Sequence, residues 1–257
     1  MNCTPLSKAK LASKRNVIRL VALMAMLALM VCGMVFPVLM FPAAILFSLA
    51  ELLIPEMARC RSAGSRKRIR YLAVKSLRVA LLYACLFAGL MFLLAEPLCM
   101  ALYNNGEAGK YLQMFALLIP MLYCDAITDS VIKGLGQQTA CVRYNILTSA
   151  MDVALLFLLL PRFGMTGYFI SFFVTHLINF GLSLRRLLKI TGLSFSPQKP
   201  LLILISTGIS LFICSFAPNI LAKAVTFPAT FISLLVLMNV VGKRDFVWIK
   251  NLIKKTA

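Results

Sequence analysis

The chain holds eight carboxylates and one histidine for acid–base chemistry, set against 27 lysines and arginines. Four of the carboxylates, Glu51, Asp125, Asp129 and Asp152, fall with His176 inside long apolar runs. A charge in such a run costs about 2.5–3.5 kcal/mol on insertion scales, so each marks pairing or function. Asp125 and Asp129 are four apart and share one helix face, which Lys133 continues a turn later. Pro120 is expected to kink that helix one turn before Asp125 and open backbone groups toward a cavity. Two carboxylates on one such face fit a cation or proton site. The simpler alternative is an Asp129–Lys133 ion pair at the helix end, with Asp125 joined to a neighbouring polar group.

Asp152 and His176 lie near the middle of two consecutive apolar runs joined by the short turn Pro161–Gly164. Antiparallel neighbours at matching depth are expected to bring these side chains within hydrogen-bonding or single-water reach. The contact is either helix–helix glue, worth about 0.6 kcal/mol, or a proton- or substrate-coupled pair. Glu56, with Arg59 and Cys60 nearby, reads as an interfacial ion pair of little energetic weight. Glu51 is a turn deeper and better placed for a cleft. Arg143, with Asn145 and Thr148, offers the forked donor geometry that suits phosphate, or else anchors its helix at the membrane edge.

Covalent chemistry has little to work with. The stretch Gly134–Leu135–Gly136–Gln137–Gln138 lacks the third glycine, the preceding strand and the lysine of a nucleotide loop, and reads as a tight turn. The eight cysteines are scattered singly with no C-x-x-C pair, which gives neither a disulfide framework nor a metal site. One histidine without a nucleophile–base arrangement does not make a hydrolase. The expectation is a protein that is not an enzyme, needs no cofactor and is no ATP-driven pump by itself.

The elements that must position these groups are membrane helices. With 61% apolar residues and a net charge of +19, the chain departs from the roughly 45–50% apolar composition of soluble domains. Its basic residues sit at the ends of apolar runs rather than on a soluble face, so anionic lipid headgroups are the expected partner and nucleic acid is not. Runs near 74–94, 112–132, 142–160, 165–184, 201–217 and 224–241 have the length of about 17–25 residues that a membrane helix needs. They are near-continuous, unlike the alternating segments of a barrel. The apolar stretch from Val17 to Pro55 is too long for one crossing and barely long enough for two, with Gly33 and Pro37 as break points. No cleavage site follows the basic start, so a retained segment is expected. The predicted fold is an all-α polytopic bundle of about eight spans, seven clear plus a short N-terminal one.

Basic residues crowd every second gap: residues 59–78, Lys133 and Arg143, then 185–199, then the tail. The other gaps hold only Lys110, Arg162 and Lys223. This bias predicts a cytoplasmic C-terminus. The implied organisation is a basic cytoplasmic N-terminus at 1–16, a helical bundle over 17–242 and a basic cytoplasmic tail at 243–257. Residues 59–71 are expected to form a basic interfacial helix, and Phe246, Val247, Trp248 and Ile253 another. Residues 95–110 are expected as an external loop with turn chemistry at Asn104, Asn105 and Gly106.

From about residue 33 the chain resembles the polysaccharide and lipid-linked oligosaccharide flippases of the stage V sporulation protein B type. The superfamily also includes the lipid II flippase and the multidrug and toxic-compound extruders. The resemblance rests on Gly33–Glu56 (GMVFPVLMFPAAILFSLAELLIPE), Lys133–Gln138 (KGLGQQ), Leu160–Tyr168 (LPRFGMTGY) and Leu184–Gly192 (LRRLLKITG). Such transporters have two pseudo-symmetric halves around a cleft, and the resemblance implies that this chain is similar to the second half, apparently truncated. It further implies transport in the cell membrane by alternating access, with basic residues holding the pyrophosphate of a lipid-linked sugar whose tail stays in the bilayer. Implied partners are membrane lipids, that substrate, and a partner half-transporter or second copy. Two other readings stay open: half of a cation-coupled multidrug extruder relying on Asp125 and Asp129, and a transport-inactive subunit that needs a partner half. Glu51, Asp125 and Asp129 are expected on a face that this chain leaves uncovered.

Overall fold

A computed structural model of the chain describes Met26 and residues 31–193, 198–217, 219–238 and 240. The expected N-terminal span before residue 31, the basic N-terminus at 1–16 and the amphipathic tail around Trp248 lie outside the described residues. Every element among the described residues is helical. A π-helical turn, Val31–Val35, leads into α1 (Phe36–Met40), followed by α2 (Ala43–Ser62), α3 (Arg66–Tyr103), α4 (Gly106–Ala116), α5 (Ile119–Gly134), α6 (Gln138–Thr191), α7 (Gln198–Ser215) and α8 (Ile220–Leu237). Four of these helices are long and apolar enough to cross a membrane. Two bent pairs, residues 33–40 with α2 at 56° and α4 with α5 at 54°, raise the count to six if each pair is one span. Phe157, Phe212, Leu221 and Leu237 point outward from α6, α7 and α8, the reverse of a water-facing surface. The chain is a membrane-embedded helical protein.

Helix α3 is the hub: α4, α5, α7 and α8 all pack on it, while α2 and α6 pack on α5. Ala80, Ala84, Ala88 and Gly89 make one side of α3 flat, and small residues let membrane helices approach closely. The Phe227 ring of α8 occupies the place a Cβ at Gly89 would take. At 38 residues, α3 is about 57 Å long, well beyond a hydrocarbon core of roughly 30 Å. That length corrects the expected interfacial helix at 59–71. The basic residues instead divide between the end of α2 and the first turns of α3, separated by a turn at Gly64 (φ 64°). At the opposite end the expected 95–110 loop is shorter, because α3 continues through Pro97 to Tyr103. Its turn chemistry is as read: Asn104 is left-handed (φ 51°), and the Asn105 side chain accepts from the amides of Glu107 and Ala108 at 3.0 and 3.3 Å to cap α4.

The helix breaks expose backbone that the sequence pays for with tyrosines. The first break falls at Phe41–Pro42 rather than at Gly33 or Pro37. Pro37 sits directly after the π-helical turn, and the helical path runs on through it to Met40. Near the break, the Leu39 carbonyl accepts from the Tyr123 hydroxyl (2.9 Å) and the Pro42 carbonyl from the Tyr83 hydroxyl (2.7 Å). Membrane interiors tolerate broken helices where protein groups satisfy the backbone in this way. The kink expected at Pro120 is present as the α4–α5 break, with Pro120 in the first turn of α5.

Helix α6 is nominally 54 residues, about 80 Å if straight, but Gly164 breaks it with φ 56° and ψ −133°, a conformation suited to glycine. The first arm (138–163) and second arm (165–191) fold back on each other. The Leu159 carbonyl lies where a Cβ at Gly167 would stand, and Ser171 reaches Asp152. This is the antiparallel hairpin expected from the Pro161–Gly164 turn.

Candidate functional site

One line of side chains on the second arm of α6 is buried at every fourth position: Ser171, Thr175, Asn179, Ser183, Leu187 and Thr191. A step of four residues advances about 40° around a helix, so this line winds and meets different neighbours in turn. Ser171 and Thr175 meet Asp152 on the first arm, with hydroxyls donating to its Oδ1 at 2.7 and 3.3 Å. Asn179 and Ser183 meet α5, where Asn179 Nδ2 donates to Asp125 Oδ2 and Ser183 Oγ to Asp129 Oδ1, both at 2.9 Å. Thr191, at the end of the arm, offers its carbonyl to Arg70 Nε of α3 at 2.7 Å. Three carboxylates from two elements thus converge on one polar seam. No sequence motif marks Ser171, Thr175, Asn179 and Ser183; their four-residue periodicity was the available signal.

Several sequence expectations change here. Asp125 and Asp129 do share a face, but that face is covered: the second arm runs parallel to α5, and both pairs are in register. Asp129 is buried and turned to Ser183, while Lys133 is exposed, and no ion pair joins them. Asp125 takes the predicted polar neighbour, Asn179. Asp152 and His176 are not hydrogen-bonded to each other. Residue 176 lies about 100° around the helix from residue 175, so its imidazole leaves the seam and packs on the Phe172 ring at 4.0 Å, within electrostatic range of Asp152. Glu51 alone meets the expectation of an uncovered face, standing on the outward side of α2 with Ile45, Ser48 and Leu52.

Arg143 and Asn145 are exposed on the first arm, while Thr148 turns inward and returns its hydroxyl to the Tyr144 and Asn145 carbonyls. These three do not converge on one ligand. Glu56 is ion-paired, with Arg68 at 2.6 Å as the main partner and the expected Arg59 at 4.0 Å. Cys60, Cys85, Cys99, Cys124, Cys141 and Cys214 are free and buried.

Asp125 and Asn179 leave one atom each unmet. Asp125 Oδ1 and Asn179 Oδ1 are buried without a hydrogen-bond donor among the described residues. Both atoms are acceptors, so a proton on the carboxyl, a small cation or a water molecule is the kind of group that completes them. Asn179 is only 6% exposed, and an unmet acceptor at such a position is expensive. Comparison with protein-family models, curated proteins and solved structures finds no match for this chain.

Proposed function

We propose that this chain is a membrane transport component: one half of a flippase or exporter for lipid-linked oligosaccharide or polysaccharide precursors, working by alternating access without covalent chemistry. The observation that carries the reading is the carboxylate seam. Asp125, Asp129 and Asp152 are drawn against one arm of α6 in a bundle with two sharply broken helix pairs. Intramembrane carboxylates and discontinuous helices are what secondary transporters use to bind and couple. The resemblance noted in the sequence supplies the substrate class, and the basic end of the bundle favours a phosphate-bearing lipid over cationic drugs. Counting the two α6 arms as separate crossings gives seven among the described residues, and the expected N-terminal span would be the eighth. The positive-inside bias places the α2–α3 turn and the C-terminal tail in the cytoplasm of a cell whose plasma membrane holds the protein.

The unmet acceptors of Asp125 and Asn179 favour a second reading, a cation- or proton-coupled extruder half of the same architecture. The outward Glu51 favours a partner: lipid tails do not satisfy a carboxylate, and another helical body against α2 does. A third reading follows, a subunit that is silent until paired.

Reconstitution separates these readings. Liposomes carrying single copies of the chain are expected to show no translocation of a fluorescent lipid-linked sugar. Translocation should appear only with several copies per vesicle or with a partner half, and should vanish in Asp125→Ala. A clear signal from single copies that Asp125→Ala abolishes would refute the half-transporter reading. Absence of translocation at every stoichiometry would leave the silent-subunit reading in its place.

A further inference from the structure

Three turns with left-handed glycines meet at one end of the bundle: Gly64 between α2 and α3, Gly136 between α5 and α6, and Gly192 at the end of α6. Between them lies a cavity of about 650 Å³ lined by Arg61, Arg66, Arg70 and Lys189, with no carboxylate in its lining. Two of the arginines lie close against the glycine turns, and one of them is held by a backbone carbonyl. The Arg61 guanidinium occupies the space a side chain at Gly136 would fill, and Arg70 Nη2 stands 2.7 Å from the Cβ position of Gly192. Arg70 also donates from Nε to the Thr191 carbonyl at 2.7 Å. The Gln137 carbonyl oxygen is taken by Arg186, which leaves the Gln137 amide nitrogen as a donor. Arg68, by contrast, is neutralised by Glu56 outside the cavity. A concave site with four cations, a spare amide donor and no counter-charge among the described residues that line it is matched to an anion with several oxygens.

We propose that this cavity binds a phosphate or diphosphate headgroup, carried by an anionic lipid at the membrane surface. Lipid headgroups suit it because the cavity sits at the mouth of the bundle, at the foot of α3, where a spanning helix leaves the bilayer. The glycines explain why the turns cannot be generic. Any Cβ at Gly136 displaces Arg61, and one at Gly192 presses on Arg70. The site holds whether or not the chain moves lipid, so its failure and the failure of the transport reading are separable.

Native mass spectrometry of the detergent-solubilised full chain tests the assignment, with phosphatidic acid, phosphatidylcholine and inorganic pyrophosphate as probes. One phosphatidic acid should bind about tenfold or more tightly than phosphatidylcholine, as expected for charge-assisted contacts. The double variant Arg61→Gln/Arg70→Gln should lose about tenfold in phosphatidic acid affinity, and Lys189→Gln, at a side chain with no hydrogen bond to the other described residues, about threefold. Arg59→Gln/Lys67→Gln removes the same charge from the same two helix ends outside the cavity and should stay within about twofold. Millimolar pyrophosphate should compete with the lipid. Equal losses in the two double variants would overturn the proposal in favour of diffuse surface charge. So would equal binding of phosphatidic acid and phosphatidylcholine. Pyrophosphate binding without any phosphatidic acid preference would assign the site to a free anion and overturn its lipid source. If the arginine double variant fails to purify as a monodisperse species, Lys189→Gln decides alone, since unchanged affinity there contradicts a bound headgroup.

Discussion

Asn179→Leu is expected to destabilise the bundle by about 1–3 kcal/mol, the range for stranding a buried hydrogen-bonding partner. The amide is the only donor to Asp125 among the described residues, at 2.9 Å, and its loss leaves a carboxylate facing leucine with both oxygens unmet. Polar contacts in membrane proteins average only about 0.6 kcal/mol when partners find substitutes, but Asp125 sits in register with the second arm, where the seam's Thr175 and Ser183 hydroxyls already bond elsewhere. The double variant Asp125→Leu/Asn179→Leu should recover most of the loss, because replacing both partners with apolar groups removes the stranded charge. Thermal unfolding of all three proteins in detergent micelles checks this. Additive losses in the double variant would show that the two residues are not coupled.

Gly134→Val is expected to have an effect of the same order for a different reason. A Cβ at Gly134 would lie 2.6 Å from the Ile54 carbonyl oxygen and 2.7 Å from Met57 Cβ, both on α2. The first obstacle is main chain and does not rotate away, so the end of α5 must separate from α2. Overpacking of this kind costs about 1–3 kcal/mol, and here Met57, Val131 and Ile132 in the same buried cluster lose packing as well. Gly181, on the second arm of α6, has nothing within 4 Å of its Cβ position. Gly181→Ala should therefore be neutral, or stabilising by up to roughly 1 kcal/mol through helix propensity. Midpoints for the two variants in the same detergent should move in these opposite senses. A Gly134→Val protein as stable as its parent would contradict the close α2–α5 crossing.

Helix existence was legible because long apolar runs leave few alternatives, and the Asn104–Gly106 and Pro161–Gly164 turns carry local chemistry. Boundaries were less so. Nothing in residues 59–71 says whether a basic amphipathic stretch lies on the membrane or extends a spanning helix; packing of α3 against its neighbours decides. The break at Pro42 rather than Pro37 depends on Tyr83 and Tyr123, residues 41 and 84 positions away from the carbonyls they satisfy. The candidate site shows the same division. Depth along a helix could be read from the sequence, so Asp152 and His176 were matched by height. Rotation about the helix could not, and the roughly 100° between residues 175 and 176 sends the carboxylate to Ser171 and Thr175 instead. The partners of Asp125 and Asp129 needed the parallel packing of α5 on the second arm, a relation set by tertiary structure alone.

The proposed topology has α3 crossing the bilayer with its basic foot inside the cell. Single cysteines at Ala63 and Lys110, both exposed and at opposite ends of α3, test this in a background whose native cysteines are replaced. An impermeant maleimide applied to intact cells should label Lys110→Cys and leave Ala63→Cys unlabelled until the membrane is permeabilised. Labelling of Ala63→Cys in intact cells, with Lys110→Cys either labelled or protected, would contradict it.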